Sequence, residues 1–148
     1  MNYGVHIPVL SKGFLTAQDN IGLHKDVLKE KGCVYFSTSD KISPDKGEEI
    51  AYLLLSNKSG LRFLCEVVSY DYFPDKGLPS DSTEYSMKKF ADVPEKHWFK
   101  LSTMKEISSN EVSQLMPINK QMAEKYLNVE EYIVNTGRLQ VFYFKKEV

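Results

Sequence analysis

EIAYLLLSNKSGLRFLCEVVSYDYF, from Glu49 to Phe73, holds two apolar runs, Ile50–Leu55 and Leu61–Val68, on either side of Ser56-Asn57-Lys58-Ser59-Gly60. A short polar loop ending in glycine, between runs rich in aliphatic and aromatic residues, is a β-hairpin signal. Neither run alternates, since Ala51, Tyr52, Leu53, Leu54 and Leu55 are apolar in succession. A strand that is apolar on both faces must be covered on both, so the pair is expected at the centre of a curled, barrel-like sheet. The second run ends in Tyr70, Tyr72 and Phe73 ahead of Pro74, which puts aromatics where the strand leaves the core.

Around this hairpin the chain reads as an ordinary globular sequence. It has 148 residues, of which 42% are hydrophobic and 26% charged, and these fractions suit one domain with a core of its own. No apolar run approaches the roughly 20 residues that a membrane span needs. The N-terminal Met-Asn-Tyr-Gly-Val-His has neither the basic flank nor the apolar stretch of a secretion signal, and a cytoplasmic location is expected. Cys33 and Cys65 lie inside apolar runs, where thiols are expected to be buried, reduced and quiet. The formal charge of −1 requires any phosphate-binding surface to be local.

Upstream of the hairpin, Val5-His6-Ile7-Pro8-Val9-Leu10 reads as an opening strand with a turn at Lys12-Gly13, and His6 as a packed residue. A helix is expected from Asp19-Asn20, with Ile21, His24, Val27 and Leu28 on one face and Gly32 at its end. Cys33-Val34-Tyr35-Phe36 reads as a strand that opens into Ser37-Thr38-Ser39-Asp40. Those hydroxyls either bond nearby backbone amides in a turn or wall a polar pocket beside Tyr35 or Phe36. Strand alternation lets only one of these two aromatics face such a pocket, and Tyr35, whose hydroxyl tolerates solvent, is the expected one. Pro44-Asp45-Lys46-Gly47 is read as a turn.

Downstream, residues 74–96 read as a long loop excursion, of the kind often functional or mobile. His97-Trp98-Phe99-Lys100-Leu101 restarts a strand, with Trp98 and Lys100 on one face and Phe99 and Leu101 on the other. Ser108-Ser109-Asn110-Glu111 has capping-box spacing, and Asn119 can cap a further short helix. Residues 132–134 fit either a helix end or a strand, followed by a glycine turn and a last strand.

Motifs of catalysis are missing from the pattern. There is no glycine-rich phosphate loop, no Gly-x-Ser-x-Gly elbow and no zinc-ligand spacing among three histidines and two cysteines. The reading is therefore not an enzyme, with no cofactor and no metal.

The order of these features resembles the PUA-like superfamily, and within it the EVE and YTH domains. Strand, capped helix, Gly32-Cys33-Val34-Tyr35-Phe36-Ser37-Thr38, a hairpin through Asn57-Lys58-Ser59-Gly60, an acidic excursion and Trp98-Phe99-Lys100-Leu101 before a capping-box helix carry the resemblance. It covers residues 5 to 120 or so and implies an α+β fold, a small mixed β-barrel flanked by short helices. It also implies a single domain over 1–148 and an aromatic pocket that receives a modified base of RNA or DNA. By position, Tyr35 or Phe36 matches the pocket aromatic, Ser37 and Thr38 the hydroxyls behind it, and Trp98 the tryptophan opening the later strand. Tyr70 and Tyr72 fall near the family's pocket-lining positions. The chain departs from the family in having one Trp where base-caging pockets carry two or three, and only a loose echo, Ser11-Lys12, of the Lys-Ser signature.

Two functions follow as expectations. The first is a binding module in which Tyr35, Phe36, Ser37, Thr38, Tyr70, Tyr72 and Trp98 hold a base by stacking. Lys12, Lys41 and Arg62 would contact phosphate, with Lys58, Lys88, Lys89 and Lys100 as further cations. The second is an adaptor or sensor that binds a protein or small metabolite through Tyr72, Phe73 and the 74–95 excursion.

Overall fold

The computed structural model describes residues 2–10 and 15–146. In chain order the elements are β1 (Asn2–Pro8), α1 (Ala17–Lys31), β2 (Val34–Thr38), α2 (Pro44–Gly47), β3 (Ile50–Ser56), β4 (Arg62–Gly77) and α3 (Ser82–Tyr85). They continue with β5 (Glu95–Leu101), β6 (Lys105–Glu106), α4 (Ser109–Val112), β7 (Met116–Pro117), α5 (Lys120–Lys125), α6 (Val129–Asn135) and β8 (Phe142–Lys146). The architecture is α+β. The chain forms two compact units: Met1–Leu10, Ile50–Cys65 and Lys105–Val148 make the first, and Ser11–Glu49 with Glu66–Met104 the second. Among the described residues no helix is long and apolar enough to cross a membrane.

In the first unit the strand order is β4-β3-β1-β8-β7, with β6 on β4. The hairpin forms as expected: β3 and β4 are neighbours joined by the 57–61 loop. Its geometry comes from the Asn57 side chain, which accepts from the Ser59 and Leu61 amides at 2.9 Å each, while Gly60 takes φ +102°, open to residues without a Cβ. β1 lies parallel to β3, Val5 beside Leu53 and Ile7 beside Leu55, and antiparallel to β8. Leu53, Leu54 and Leu55 are all fully buried, which is why that run does not alternate. Leu54 joins Ile107, Val112, Leu115, Val129, Ile133 and Phe144 in one core. Ser108 caps α4 with the reciprocal Glu111 bond of a capping box, and Asn119 caps α5. Residues 132–134, left open by the sequence, are helical within α6.

In the second unit the order is β2-β5-β4, all antiparallel. The rows Val34–Leu101–Val67 and Phe36–Phe99–Tyr70 share one face, and Tyr35–Lys100–Ser69 and Ser37–Trp98–Asp71 the other. The expected division of β5 is thus present, yet Trp98, Phe99 and Leu101 are equally buried because both faces are covered. On the Phe36 face, α1 lays His24 against Phe36, with ring centroids 5.5 Å apart. Gly47 of α2 sits so close to Tyr70 that a Cβ would fall 2.5 Å from the ring.

Several local expectations are corrected. The helix α1 starts at Ala17, two residues early, because Thr16 rather than Asp19 or Asn20 supplies the capping oxygen, accepting from the Asp19 amide at 3.0 Å. Ser37 and Thr38 belong to β2, since both are paired with β5. Pro44–Gly47 is a helical turn, with Pro44 at its first position where the missing amide costs nothing. The 74–96 stretch is strand as far as Gly77 and then carries α3. In neither unit do the described strand pairs return to their first strand. Cys65 is buried and its thiol pushed well up by burial, but Cys33, beside the exposed Gly32, is only half-buried.

Candidate functional site

The aromatic residues singled out by the sequence all belong to the second unit, on two different faces. Tyr35 meets Trp98 edge to face at 5.6 Å, and its hydroxyl donates to Asp81 Oδ1 at 2.7 Å. Lys100 Nζ donates to Asp81 Oδ2 at 2.8 Å and lies 4.0 Å from the Tyr85 ring centre. This network raises the Tyr35 phenol through burial and the Asp81 hydrogen bond. It lowers the Asp81 carboxyl through the Lys100 hydrogen bond and raises Lys100 reciprocally. Trp98 is fully buried and donates its indole N–H to the Gly77 and Glu95 carbonyls, so its ring fills the interior and presents no stacking surface. Phe36 is buried against His24.

The hydroxyl group of residues divides along the turn reading. Thr38 Oγ1 accepts from the Asp40 amide at 3.0 Å. Ser39 donates to the Glu95 carboxylate and accepts from the Lys96 amide at 3.1 Å. These are local backbone and strand-end bonds. Ser37 is half-buried opposite Trp98.

Tyr70, His97 and Tyr72 form a stack, with His97 centroids 5.9 Å from Tyr70 and 5.3 Å from Tyr72. Burial, with Lys96 nearby, holds the His97 imidazole below its ordinary range, so it is neutral. Its Nδ1 lies 2.7 Å from the Tyr70 hydroxyl, which donates to it. Tyr72 is 39% exposed, the most open of the sequence-predicted aromatics.

The expected phosphate cations do not gather. Arg62 is buried and its guanidinium is held by Glu130 at 2.8 Å and by the Asn57 and Leu61 carbonyls, because a charge taken out of water needs compensation on the spot. It is a structural ion pair and not a phosphate contact. Lys58 Nζ is likewise spent on the Ile133, Val134 and Thr136 carbonyls at 2.7–3.1 Å, at the C-terminal end of α6. Lys41 is exposed, and Lys12, with the turn expected at Lys12-Gly13, lies outside the described residues.

A concave site that the sequence did not single out lies in the first unit. It is a cavity of about 260 Å³ lined by Lys125 at the end of α5, Tyr126 just after it, Tyr132 of α6, and Arg138, Gln140 and Phe142 at the entry to β8. Its aromatic wall is continuous: Tyr126 meets Tyr132 edge to face at 5.2 Å, and Tyr132 meets Phe142 at 4.7 Å. Behind Phe142 the His6 ring stacks at 4.6 Å, with Nδ1–H donating to the Gln140 carbonyl at 2.8 Å and Nε2 accepting from Ser56 Oγ at 2.6 Å. Burial, then the nearby Arg62 charge, pushes the His6 imidazole down to about 4. The Tyr132 hydroxyl accepts from the Gln140 amide at 3.0 Å, which fixes the segment carrying Arg138 across the helix. Neither Lys125 nor Arg138 forms an ion pair among the described residues. The sequence signal was slight: two cations and two glutamines interleaved with Tyr126, Tyr132 and Phe142 over some twenty residues.

The chain matches no protein-family model, and no curated protein and no solved structure matches it.

Proposed function

We propose that the protein is a non-catalytic binding module that takes a nucleobase, in RNA or DNA, in the cavity of its first unit. The observation that carries this is one concavity in which the half-buried Tyr126, backed by the buried Tyr132 and Phe142, meets two cations, Lys125 and Arg138, that form no ion pair among the described residues. Aromatic faces stack bases at roughly 1–3 kcal/mol each, and the cations suit the adjoining phosphate. The Gln121 and Gln140 amides at the rim can read a base edge by donating and accepting. A local pair of cations suits a chain whose total charge is −1. The PUA-like assignment belongs to the same proposal and rests on the feature order of the sequence. The resemblance ends near residue 120, short of this cavity, so a modified base enters as one arm of the test.

The test is a titration of the full chain with single-stranded oligonucleotides carrying modified or unmodified bases, at two salt concentrations, with a mononucleotide arm. Tyr126→Ala should weaken binding about tenfold or more while the chain stays folded with a modestly lower melting midpoint, since Tyr126 is half-buried against the core. Arg138→Gln should reduce the salt slope by about 1. Binding of the mononucleotide alone would turn the reading toward a small-metabolite sensor. Absence of binding, or binding indifferent to both substitutions, would remove the nucleobase reading.

A further inference from the structure

We propose that His6 is a positioning residue for the cavity of the first unit: it holds the Gln140 rim and the Phe142 wall in place for a ligand that it does not touch. The proposal rests on the nucleobase reading above. His6 lines no part of the cavity and is fully buried. It stands on β1, between β3 and β8, with Leu54 beside it on one side and Phe142 on the other. A strand paired on both sides is a rigid mount for a side chain.

Gln140 needs such a mount, because it lies between α6 and β8 and belongs to neither. Its amide donates to the Tyr132 hydroxyl at 3.0 Å, and its carbonyl accepts from His6 Nδ1–H at 2.8 Å. Both bonds are to side chains, one on the cavity wall and one behind it. The Tyr132 hydroxyl also donates to the Arg138 carbonyl at 3.4 Å. Tyr132 and His6 between them thus hold the backbone that carries Arg138 and Gln140. The His6 ring further stacks on Phe142 at 4.6 Å and meets Tyr132 edge to face at 6.2 Å.

The chemistry of the position calls for histidine. The Gln140 carbonyl can only accept, so the ring hydrogen is on Nδ1, and Nε2 accepts from the buried Ser56 hydroxyl at 2.6 Å. At so buried a place an apolar ring would fill the space without the cost of taking polar nitrogens out of water. What the imidazole adds is a donor for a rim carbonyl that no ladder satisfies, together with a flat face for Phe142. A segment already fixed in its bound form spares the ligand the entropy of ordering it, which strengthens binding without a new contact.

Two substitutions in the full chain separate positioning from packing. His6→Phe keeps the ring volume and the stack on Phe142 but loses the donor. His6→Asn sets an amide N–H near the place of Nδ1–H but loses the ring. The Asn variant should melt lower than the Phe variant, since it leaves part of the ring's space empty. Affinity should run the other way. With a fluorescein-labelled mixed-sequence DNA single strand as probe, His6→Phe should bind about tenfold more weakly than the parent, and His6→Asn within about threefold of it. In the ligand-free chains, hydrogen exchange of the Gln140 amide should quicken about tenfold in His6→Phe and stay near the parent's in His6→Asn. Heteronuclear NMR of the parent's His6 ring, which needs no variant, should find the hydrogen on Nδ1. Affinity that follows the melting order, an unchanged Gln140 amide in His6→Phe, or a hydrogen on Nε2 in the parent would each overturn the proposal. A parent chain that binds no DNA would sink the nucleobase reading instead, and the amide exchange would still decide whether His6 holds the rim.

Discussion

The Tyr35 hydroxyl donates to Asp81 at 2.7 Å, across 46 positions of sequence, and so ties β2 to the segment that opens α3. Lys100 completes the tie from β5 at 2.8 Å. A hydrogen bond to a charged acceptor contributes about 1.5–3 kcal/mol, toward the lower end where solvent reaches it, as it does at Asp81. Tyr35→Phe should therefore cost about 1–2 kcal/mol in urea unfolding. Combined with Asp81→Ala it should be clearly non-additive, since both substitutions remove the same bond. Simple additivity in that cycle would show that the contact is not formed in solution.

Phe36→Ala should cost about 3–5 kcal/mol, the usual loss for emptying a buried aromatic position. Tyr35→Ala should approach it, because Tyr35 is buried too and loses its Trp98 contact. Melting curves of the two variants check this. A Tyr35→Ala chain as stable as the parent would mean that the ring is free to face a ligand.

Breaking the Arg62–Glu130 pair on one side should be severe. Glu130→Ala leaves a buried guanidinium without its carboxylate and should cost about 3–5 kcal/mol. Arg62→Met with Glu130→Leu should recover much of that loss, because neither charge then remains unpaired. Denaturant midpoints of the single and double variants decide the matter.

Acid should destabilise the protein ahead of carboxylate protonation. His6 has its imidazole pushed down to about 4, and His24 and His97 are lowered as well, each mainly by burial. A lowered folded value means that the native state binds fewer protons than the unfolded chain. Stability is then fully present above the ordinary histidine value near 6.5 and declines as pH falls from there toward 4. For His6 alone the loss should reach about 3 kcal/mol by the end of that window. Urea midpoints measured from pH 7.5 down to pH 4.5 should fall steadily, and a flat profile would contradict the buried neutral imidazole. His6→Phe should flatten part of the slope.

Gly4→Ala should be damaging although it adds one methyl group. Gly4 pairs with Phe144 across β1 and β8, and a Cβ there would lie 2.2 Å from the ring. Displacing a fully buried phenylalanine should cost at least about 1–3 kcal/mol. A melting midpoint equal to that of the parent chain would show that the ring packs elsewhere.

Local physics made much of the framework legible along the chain. The Ile50–Leu55 and Leu61–Val68 runs announced buried paired strands because continuous apolar side chains must be covered on both faces. Asn57 and Gly60 announced the turn, Ser108 and Glu111 the helix start, and Gly32 the left-handed end of α1 at φ +83°. Each of these depends on groups within a few residues of one another. Alternation likewise placed Trp98 with Lys100 and Phe99 with Leu101 on opposite faces of β5.

Access and partnership are different, because they depend on what a remote segment lays over a residue. Trp98 and Tyr35 look like ligand-facing aromatics until Gly77 and Asp81 take up their N–H and O–H groups. Arg62 looks like a free cation until Glu130, 68 positions later, meets it. The parallel pairing of β1 with β3 joins stretches more than forty residues apart. Tyr126, Tyr132 and Phe142 are unremarked as letters, and they become one wall only when α5, α6 and the entry to β8 converge around a cavity. Short-range hydrogen bonding and side-chain alternation are written into neighbouring residues. Burial, charge pairing and concavity are properties of segments brought together, and only the folded chain supplies them.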